Sequence, residues 1–397
     1  MRELATARSV RFRWILACMT VFLLAISTAG TATAQAQWTK FDMTKADAQG
    51  RYLWHEPGNW SLGVPNESLC AEIGDDDSGR ALHCVIAADA ICQTMELAEH
   101  AQTEGTTLRL LRGVTLTFKA GAVLSKDRES TFYVDGTVKS SATNTSIRIG
   151  GPWGRPEADL PSACHVIISP TGILEAWFVG INTTHRANDA PSSPWGPRFF
   201  SRATDSEVIV NGGRLLAQEG LRISTVDAAR PGHLRLHGKA SMQMKEDARY
   251  GLQVWGGVWE IQGGHVDLRI GNVEFWGNKF RDAVNTQQDT KVGPGRAVLK
   301  LAGDGVSTIH AGKLNFIDAA FVDVGGLDVQ PGRYVVIDGK SVHQTNLRLA
   351  DGTDTDIWSL VVDTDKADVI LRRRPGEPKP SATQSAVKTE GASEPDR

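Results

Sequence analysis

The chain lacks an apolar run long enough to span a bilayer, and it lacks an excess of charge of either sign. Its longest apolar stretch, residues 14–26, covers about 13 residues, whereas a transmembrane helix needs roughly 20. The net charge is −3 over 397 residues, and the only basic run, residues 372–374, opens the C-terminal tail. We therefore expect no membrane span once the N-terminal leader is removed, and no nucleic-acid partner.

Motifs of the common catalytic and metal-binding classes are also missing. No G-x-S-x-G, P-loop or dinucleotide fingerprint occurs in a strand-to-helix context. No paired C-x-x-C indicates zinc, and the acidic run at residues 75–77 lacks the alternating ligands and distal glutamate of an EF-hand loop. Helical periodicity is almost absent. The sequence therefore predicts no resident cofactor and few helices.

Cysteine is scarce. The chain contains five, of which Cys18 lies in the apolar N-terminal run, and Cys70, Cys84, Cys92 and Cys164 remain beyond it. An even number in an oxidising compartment favours up to two disulfides, with three possible connectivities. Closeness in sequence favours Cys70 with Cys84, which leaves Cys92 with Cys164.

The N-terminus does contain the elements of a leader. Basic residues precede the apolar run, and a small-residue stretch ending in TAQA at residues 33–36 follows it; the basic residues are Arg2, Arg8, Arg11 and Arg13. This order is typical of a secretory signal peptide. We expect residues 1–36 to be removed and the mature protein to be extracellular or at the cell surface, with the periplasm as the alternative.

Short β-rich runs alternate with glycine corners between about residues 108 and 316. They align on Gly113, Gly136, Gly172, Gly213, Gly238, Gly264 and Gly305, at intervals of 23, 36, 41, 25, 26 and 41 residues. The short intervals suit one three-strand coil of a parallel β-helix, because a propeller blade needs about 40 residues. We expect each glycine to supply a positive φ at a corner. An antiparallel sandwich or jelly roll, which gives the same alternation, is the alternative.

The predicted fold is therefore all-β: a right-handed parallel β-helix, or β-solenoid, with N- and C-terminal caps. Inward side chains should stack on their counterparts one coil away, at about 4.8 Å; they include Val114, Leu116, Phe118, Leu215, Leu221 and Ile223. The N-terminal cap and first strands are assigned to residues 37–107, and the coils to 108–316. The C-terminal strands and cap are assigned to 317–372, and a disordered tail to 373–397.

The segment WHEPGNWSLGVPN at residues 54–66, followed by glycine-spaced strand runs, carries a resemblance. It is similar to the opening of secreted bacterial β-helix proteins that are abundant in planctomycetes and their relatives, with a pectin-lyase-like architecture. The resemblance covers most of the mature chain and implies the fold. Its motifs are architectural, so it implies no catalytic residues.

Three of the intervals between glycines are longer than one coil, and the extra segments begin at a similar phase, about 10 to 14 residues after the glycine. Each combines Trp-Gly with basic residues, and the candidate ligand-binding residues are Trp153, Arg155, Arg186, Trp195, Arg198, Trp276, Lys279 and Arg281. Tryptophan can stack on sugar rings, and guanidinium groups pair with carboxylates or sulfates. In the alternative interpretation, the Trp-Gly pairs only fix each loop to the coil beneath.

The sequence favours a monomeric, non-catalytic module with a structural or adhesive role, which binds an acidic polysaccharide or cell-envelope glycan on this side. The alternative is a polysaccharide lyase, with calcium and an Arg or Lys base, or a two-carboxylate glycoside hydrolase. Conceivable catalytic residues are Glu157, Asp159, His165, His185, Arg186, Asp189, Arg281 and Asp282. None of them shows a diagnostic spacing.

Overall fold

The structure is a computed structural model of the chain that describes residues 36–74, 80–98, 105–124, 129–141, 143, 145–150, 163–182, 206–227, 230–276 and 296–372. Contacts divide the chain into two units, Met1–Gln37 and Trp38–Arg397, and the strands from Trp38 onward belong to the second unit. Within the described ranges the regular elements are β-strands, numbered in chain order, and one short 3-10 helix, Pro57–Asn59.

The strands form three parallel faces. Face 1 contains β2 (Tyr52–Leu53), β4 (His83–Ile86), β7 (Thr106–Leu110), β10 (Ser130–Val134), β13 (Cys164–Ile168), β15 (Glu207–Asn211), β18 (His233–His237), β21 (Val258–Gly263) and β23 (Ala297–Val306). Face 2 contains β5 (Ala90–Cys92), β8 (Thr115–Phe118), β11 (Thr137–Ser140) and β19 (Ser241–Gln243). Face 3 contains β1 (Gln37–Lys40), β3 (Leu69–Ile73), β6 (Met95–Leu97), β9 (Ala122–Leu124), β12 (Ser146–Ile149) and β20 (Gly251–Trp255).

Longer strands continue around a corner and contribute to more than one face. They are β14 (Ile173–Ile181), β16 (Arg214–Asp227), β22 (Asp267–Trp276), β24 (Ile309–Leu327) and β25 (Gly332–Leu349). Between β14 and β16 the register shifts after Ala176 and Ala217, so a bulge with one extra residue in β16 marks the corner between face 2 and face 3. Three further strands complete the set: β17 (Arg230–Pro231), β26 (Trp358–Val362) and β27 (Lys366–Leu371).

Each coil pairs in parallel with the coil before it. On face 1, for example, Thr107 pairs with Thr131, which pairs with His165, which in turn pairs with Glu207. The same succession of parallel pairs occurs on face 2 from β5 to β25 and on face 3 from β3 to β25. This pairing confirms the predicted parallel β-solenoid, because a sandwich or jelly roll would pair its strands antiparallel.

Alternation along each strand sends every second side chain into a continuous core. On face 1 the inward row is fully buried and consists of Leu108, Phe132, Val166, Val208, Leu234, Trp259 and Leu299. The predicted inward residues Leu116, Phe118, Leu215, Leu221 and Ile223 are also fully buried, and Val114 is 8% exposed. The core is therefore a stack of rows, each contributing one apolar side chain per coil.

The glycines that align the coils act through close packing more than through backbone conformation. Of the seven, only Gly113 and Gly238 have a positive φ, so the expectation that each supplies one is wrong for the other five. Gly136, Gly172 and Gly213 instead stack in one row. A Cβ on Gly172 would lie 2.0 Å from the carbonyl oxygen of Val134, one coil below. Only a residue without a side chain lets the coils approach this closely here.

The two ends of the solenoid differ from its middle. At the N-terminal end, Trp60 packs edge-on against Trp54 and Phe41, with ring centroids 4.9 and 5.0 Å apart. The Asn59 amide, fully buried beside them, bonds to the backbone of Lys45 and Leu53. At the C-terminal end, β27 pairs antiparallel with both β25 and β26. Packing and hydrogen bonds to the backbone thus explain Asn59 and Trp60 of the segment at residues 54–66. This agrees with the prediction that the motifs of this segment are architectural.

The glycine row provides a test of the packing. We expect Gly172→Ala to lower the free energy of unfolding by about 1–3 kcal/mol, because the added methyl group overpacks the contact with Val134. Gly332→Ala is the matched control, since its Cβ would meet only ordinary contacts at 3.5 Å or more. Urea unfolding of both variants measures the difference. Equal stability of the two variants would contradict the packing argument.

Candidate functional site

The three long insertions leave and rejoin the solenoid at one corner. The described residues stop at Gly150, Asn182 and Trp276, at the ends of the face 3 parts of β12, β14 and β22. Ile149 pairs with Ile181, and the pairs through β16 and β20 bring Phe275, the neighbour of Trp276, into the same row. The described residues resume directly before β13, β15 and β23 of face 1. The corner between face 3 and face 1 is therefore where these segments attach.

Most of the predicted ligand-binding residues belong to these insertions. Trp153, Arg155, Arg186, Trp195, Arg198, Lys279 and Arg281 lie outside the described residues, as do Glu157, Asp159, His185, Asp189 and Asp282. Trp276 is described, at the end of β22, and its side chain is half-buried. It marks the point at which the third insertion meets face 3.

Trp276 belongs to a strip of aromatic rings on the outer side of face 3. Its ring lies edge-on to Trp255, with centroids 6.3 Å apart, and the guanidinium of Arg222 stacks on Trp255 at 3.7 Å. Arg222 also lies 5.8 Å from the ring of Phe178. Tyr250 then contacts both Phe178 and Trp177 edge-on, at 5.8 and 5.9 Å. We call the rings of Trp177, Phe178, Tyr250, Trp255 and Trp276 the aromatic strip.

The alternation of face 3 explains Phe178, Trp255 and Trp276 of the aromatic strip. Val179, Val254 and Phe275 point into the core, so these neighbours in sequence point outward. Trp177 and Tyr250 lie at the corner where β14 and β20 enter face 3. The strands β14, β16, β20 and β22 are consecutive, so the strip extends over three strand spacings, or about 14 Å along the solenoid axis. All five rings are half-buried, which leaves part of each one accessible.

Arg222 is the charged centre of this strip. Its Nε and Nη2 donate to Gln253 Oε1 at 2.9 and 2.7 Å, and Gln253 Nε2 donates to Glu274 Oε2 at 3.1 Å. Trp255 Nε1 donates to the same Glu274 oxygen at 3.3 Å. Burial lowers the pKa of Arg222 to about 10, an effect that Glu274 and Tyr250 partly oppose. The group stays protonated at neutral pH but is poorly solvated.

Face 1 carries a different surface on the other side of the corner. His165 Nδ1 donates to Glu207 Oε1 at 2.8 Å, and Arg235 Nη1 lies 3.1 Å from Glu207 Oε2. Arg235 Nε is 3.7 Å from Glu260 Oε2, and Lys300 Nζ is 3.3 Å from that oxygen. These five residues, on the consecutive strands β13 to β23, form what we call the charge ladder.

The acidic and basic side chains of the charge ladder compensate one another. Glu207 and Glu260 are only 14% and 13% exposed, and each lies between two basic side chains. The hydrogen bond from His165 lowers the pKa of Glu207, and the same bond raises the pKa of His165. His165, a conceivable base for catalysis, is therefore engaged in cross-strand pairing. Such pairs stabilise a sheet, and nothing in their geometry favours proton transfer to a substrate.

The four cysteines beyond the leader are free, buried thiols, so the predicted disulfides are not present in the structure. Cys92 in β5 and Cys164 in β13 are three coils apart, about 14 Å along the axis, whereas a disulfide needs Cα atoms within roughly 7 Å. Cys70 and Cys84 likewise remain unbridged. Burial raises the pKa of the Cys84 and Cys92 thiols, which makes them unreactive.

Neither a metal-ligand cluster nor a membrane-spanning helix occurs in the described residues. They contain no group of three or more His, Cys, Asp or Glu side chains that could hold a metal ion. In the same part of the chain, no helix has the length and apolar character needed to cross a membrane.

The chain was compared with protein-family models, with curated proteins and with solved structures, and no match was found. The resemblance to secreted bacterial β-helix proteins stays a prediction. The geometry of the aromatic strip and the charge ladder is therefore the basis for assigning a function.

The residues that sequence reasoning missed are the outward ones on the regular strands: Arg222, Trp255, Tyr250, Glu207 and Arg235. A signal for them existed. Once the coils are aligned on their inward residues, Leu221 falls beside Leu252, which places Arg222 beside Gln253 and diagonal to Trp255 on the next coil. The insertions are more conspicuous in the sequence because they interrupt the repeat.

The charge ladder should make stability depend on pH. We expect His165→Asn to lower the free energy of unfolding more at about pH 5.5 than at about pH 8.5. The bond to Glu207 raises the pKa of His165, so its contribution is complete below the ordinary value of 6.5 and is lost as pH rises through the folded value. Glu207 remains ionised at both pH values because its pKa is lowered from 4.5. Urea unfolding at the two pH values measures the effect.

His310→Asn is the matched control, because His310 pairs with Asp338 at 3.2 Å but the two side chains are 60% and 61% exposed. An exposed pair of this kind contributes little to stability, so its loss should matter little at either pH. A loss for His165→Asn that is equal at the two pH values, or greater at the higher one, would contradict the assignment.

Proposed function

We propose that this protein is an exported β-solenoid that binds a polysaccharide along the aromatic strip of face 3, in a structural or adhesive role. The single observation that carries the proposal is the strip itself. It is a set of half-buried rings on the outer surface of one parallel sheet, in two groups that Arg222 connects: Trp177, Phe178 and Tyr250, and Trp255 and Trp276. Aromatic faces that stay partly exposed provide flat apolar surfaces for the faces of sugar rings.

The length of the strip supports a polymeric ligand over a single small molecule. The strip extends for about 14 Å along the axis, with rings on or next to β14, β20 and β22 and Arg222 on β16 between them. An extended chain that crosses face 3 obliquely would meet both groups of rings. The corner at which the described residues stop, at Gly150, Asn182 and Trp276, borders the strip.

Export is part of the proposal and is supported by the sequence alone. Residues 1–35 lie outside the described residues, and the order of basic, apolar and small residues in this segment is that of a secretory leader. An extracellular or cell-surface location would bring the strip into contact with envelope or matrix glycans.

The enzymatic alternative gains no specific support from the described residues. On face 1, Glu207 and Glu260 are each engaged by two basic groups. Glu274 on face 3 accepts hydrogen bonds from Gln253 and Trp255. We therefore propose binding without catalysis.

Replacement of Trp255 and Trp276 by alanine tests the proposal. We expect the double variant to lose at least about tenfold in affinity for the polysaccharide that the wild type retains, because two stacking surfaces are removed. Affinity electrophoresis across a panel of neutral and acidic polysaccharides, followed by calorimetry with the best ligand, measures the change.

Tyr133→Ala is the matched control. Tyr133 is a half-buried outward ring on β10 of face 1, and the Arg109 guanidinium lies 5.6 Å from its centroid, so it reproduces the aromatic and cationic contact on another face. This variant should bind as the wild type does. If the double variant is retained as strongly as the wild type and the Tyr133 variant, the proposal is wrong.

A further inference from the structure

Arg222 differs from the cations of the charge ladder in the way its charge is balanced. Arg235 lies within 4 Å of both Glu207 and Glu260, and Lys300 lies 3.3 Å from Glu260. Within the described ranges, the hydrogen bonds of Arg222 go to the neutral amide oxygen of Gln253, and the chain supplies it with no ion pair. The ladder shows that this fold can place a carboxylate directly beside an outward cation. At Arg222, Glu274 acts on the guanidinium from the far side of Gln253 and only partly opposes the effect of burial.

The surroundings of Arg222 make the absence of an ion pair among the described residues energetically unfavourable. Its guanidinium stacks on Trp255 at 3.7 Å and lies near Phe178, and burial lowers its pKa to about 10. A cation taken out of water is unfavourable unless an opposite charge compensates it. The closest carboxylate along the row, Glu274, already accepts from Gln253 and Trp255. Arg222 is therefore a charged group with capacity for an external anion.

The donor geometry of Arg222 defines what that anion must be. Nε and Nη2 both point to Gln253, while Nη1 has no hydrogen-bond partner within the described part of the chain. A guanidinium offers its donors in a planar fork that fits the oxygens of a carboxylate or a sulfate. Because the plane of Arg222 rests on Trp255, an anion bound at the edge of the guanidinium would lie beside an aromatic ring.

We propose that Arg222 forms the anion subsite of the aromatic strip and takes the carboxylate or sulfate of an acidic sugar whose ring stacks on the strip. This inference rests on the proposed function and names its substrate class: an acidic polysaccharide. It also assigns the charge recognition to a residue of the regular coils.

Binding to matched acidic and neutral polymers tests the subsite. The probes are polygalacturonate and its fully methyl-esterified form, for the carboxylate, and dextran sulfate and dextran, for the sulfate. Affinity electrophoresis of the wild-type protein should give a dissociation constant at least about tenfold lower for one acidic polymer than for its neutral counterpart. The preferred acidic polymer identifies the anion. Salt should weaken this preference, because charge attraction is screened.

Arg222→Gln should remove the preference, with a loss of at least about tenfold for the acidic polymer and no change for the neutral one. Arg222→Lys keeps the charge without the fork and should give an intermediate loss, and its retained charge keeps the test valid if the glutamine variant folds poorly. Arg109→Gln, which removes an arginine from face 1, is the control and should bind as the wild type does.

The outcomes separate this inference from the function on which it rests. If the tryptophan variants lose binding but Arg222→Gln keeps the acidic preference, the anion subsite is wrong and the proposed function stands. If the wild type binds acidic and neutral polymers equally, the subsite is also wrong. If the wild type retains none of the polymers, both proposals fail.

Discussion

The parallel, in-register pairing of each coil with the coil before it determines the rest of this structure. Residues that are far apart in sequence become neighbours at one strand spacing, and the separation along the chain has no influence on that distance. His83 and Thr107, 24 residues apart, and His165 and Glu207, 42 residues apart, are both direct neighbours on face 1. Insertions of any length can therefore attach at a corner without disturbing the rows. The outer surface of each described face is therefore a set of rows fixed by this register.

The same constraint makes two unlike surfaces from one repeat. On face 1, outward residues of alternating charge meet across five strands, and each carboxylate is satisfied by its neighbours. On face 3, outward rings meet an arginine whose partners are aromatic faces and a neutral amide. A buried charge is unfavourable unless an opposite charge compensates it. The proposed binding role of face 3 rests on this difference more than on the number of aromatic or basic residues.

The sequence predicted the fold but not the contacts between outward side chains. The alternation of apolar and polar residues identifies inward residues such as Leu215 and Leu221. The spacing of the glycines indicates the length of one coil. The reason for Gly172 was missed, because close approach to the Val134 carbonyl is a property of two coils, whereas a positive φ is a property of one residue. The cysteine pairing failed for a related reason. Closeness in sequence does not measure distance in a solenoid, in which Cys92 and Cys164 are separated by three coils. The contact of Arg222 with Trp255 likewise needs the register of β16 and β20, which alternation alone does not provide.

The central claim is that distance along the solenoid counts coils and not residues, and pulsed electron paramagnetic resonance tests it directly. Spin labels would be attached in pairs at outward positions of one row on face 1, in a background in which the native cysteines are replaced by alanine. Thr107 and Val258 are five strand spacings apart, and Thr107 and Val298 are six, because Val258 pairs with Val298 although the insertion at 277–295 lies between them. The account predicts distances of about 24 and 29 Å, which differ by one spacing. A difference of much more than one spacing, in proportion to the residues between Val258 and Val298, would contradict it.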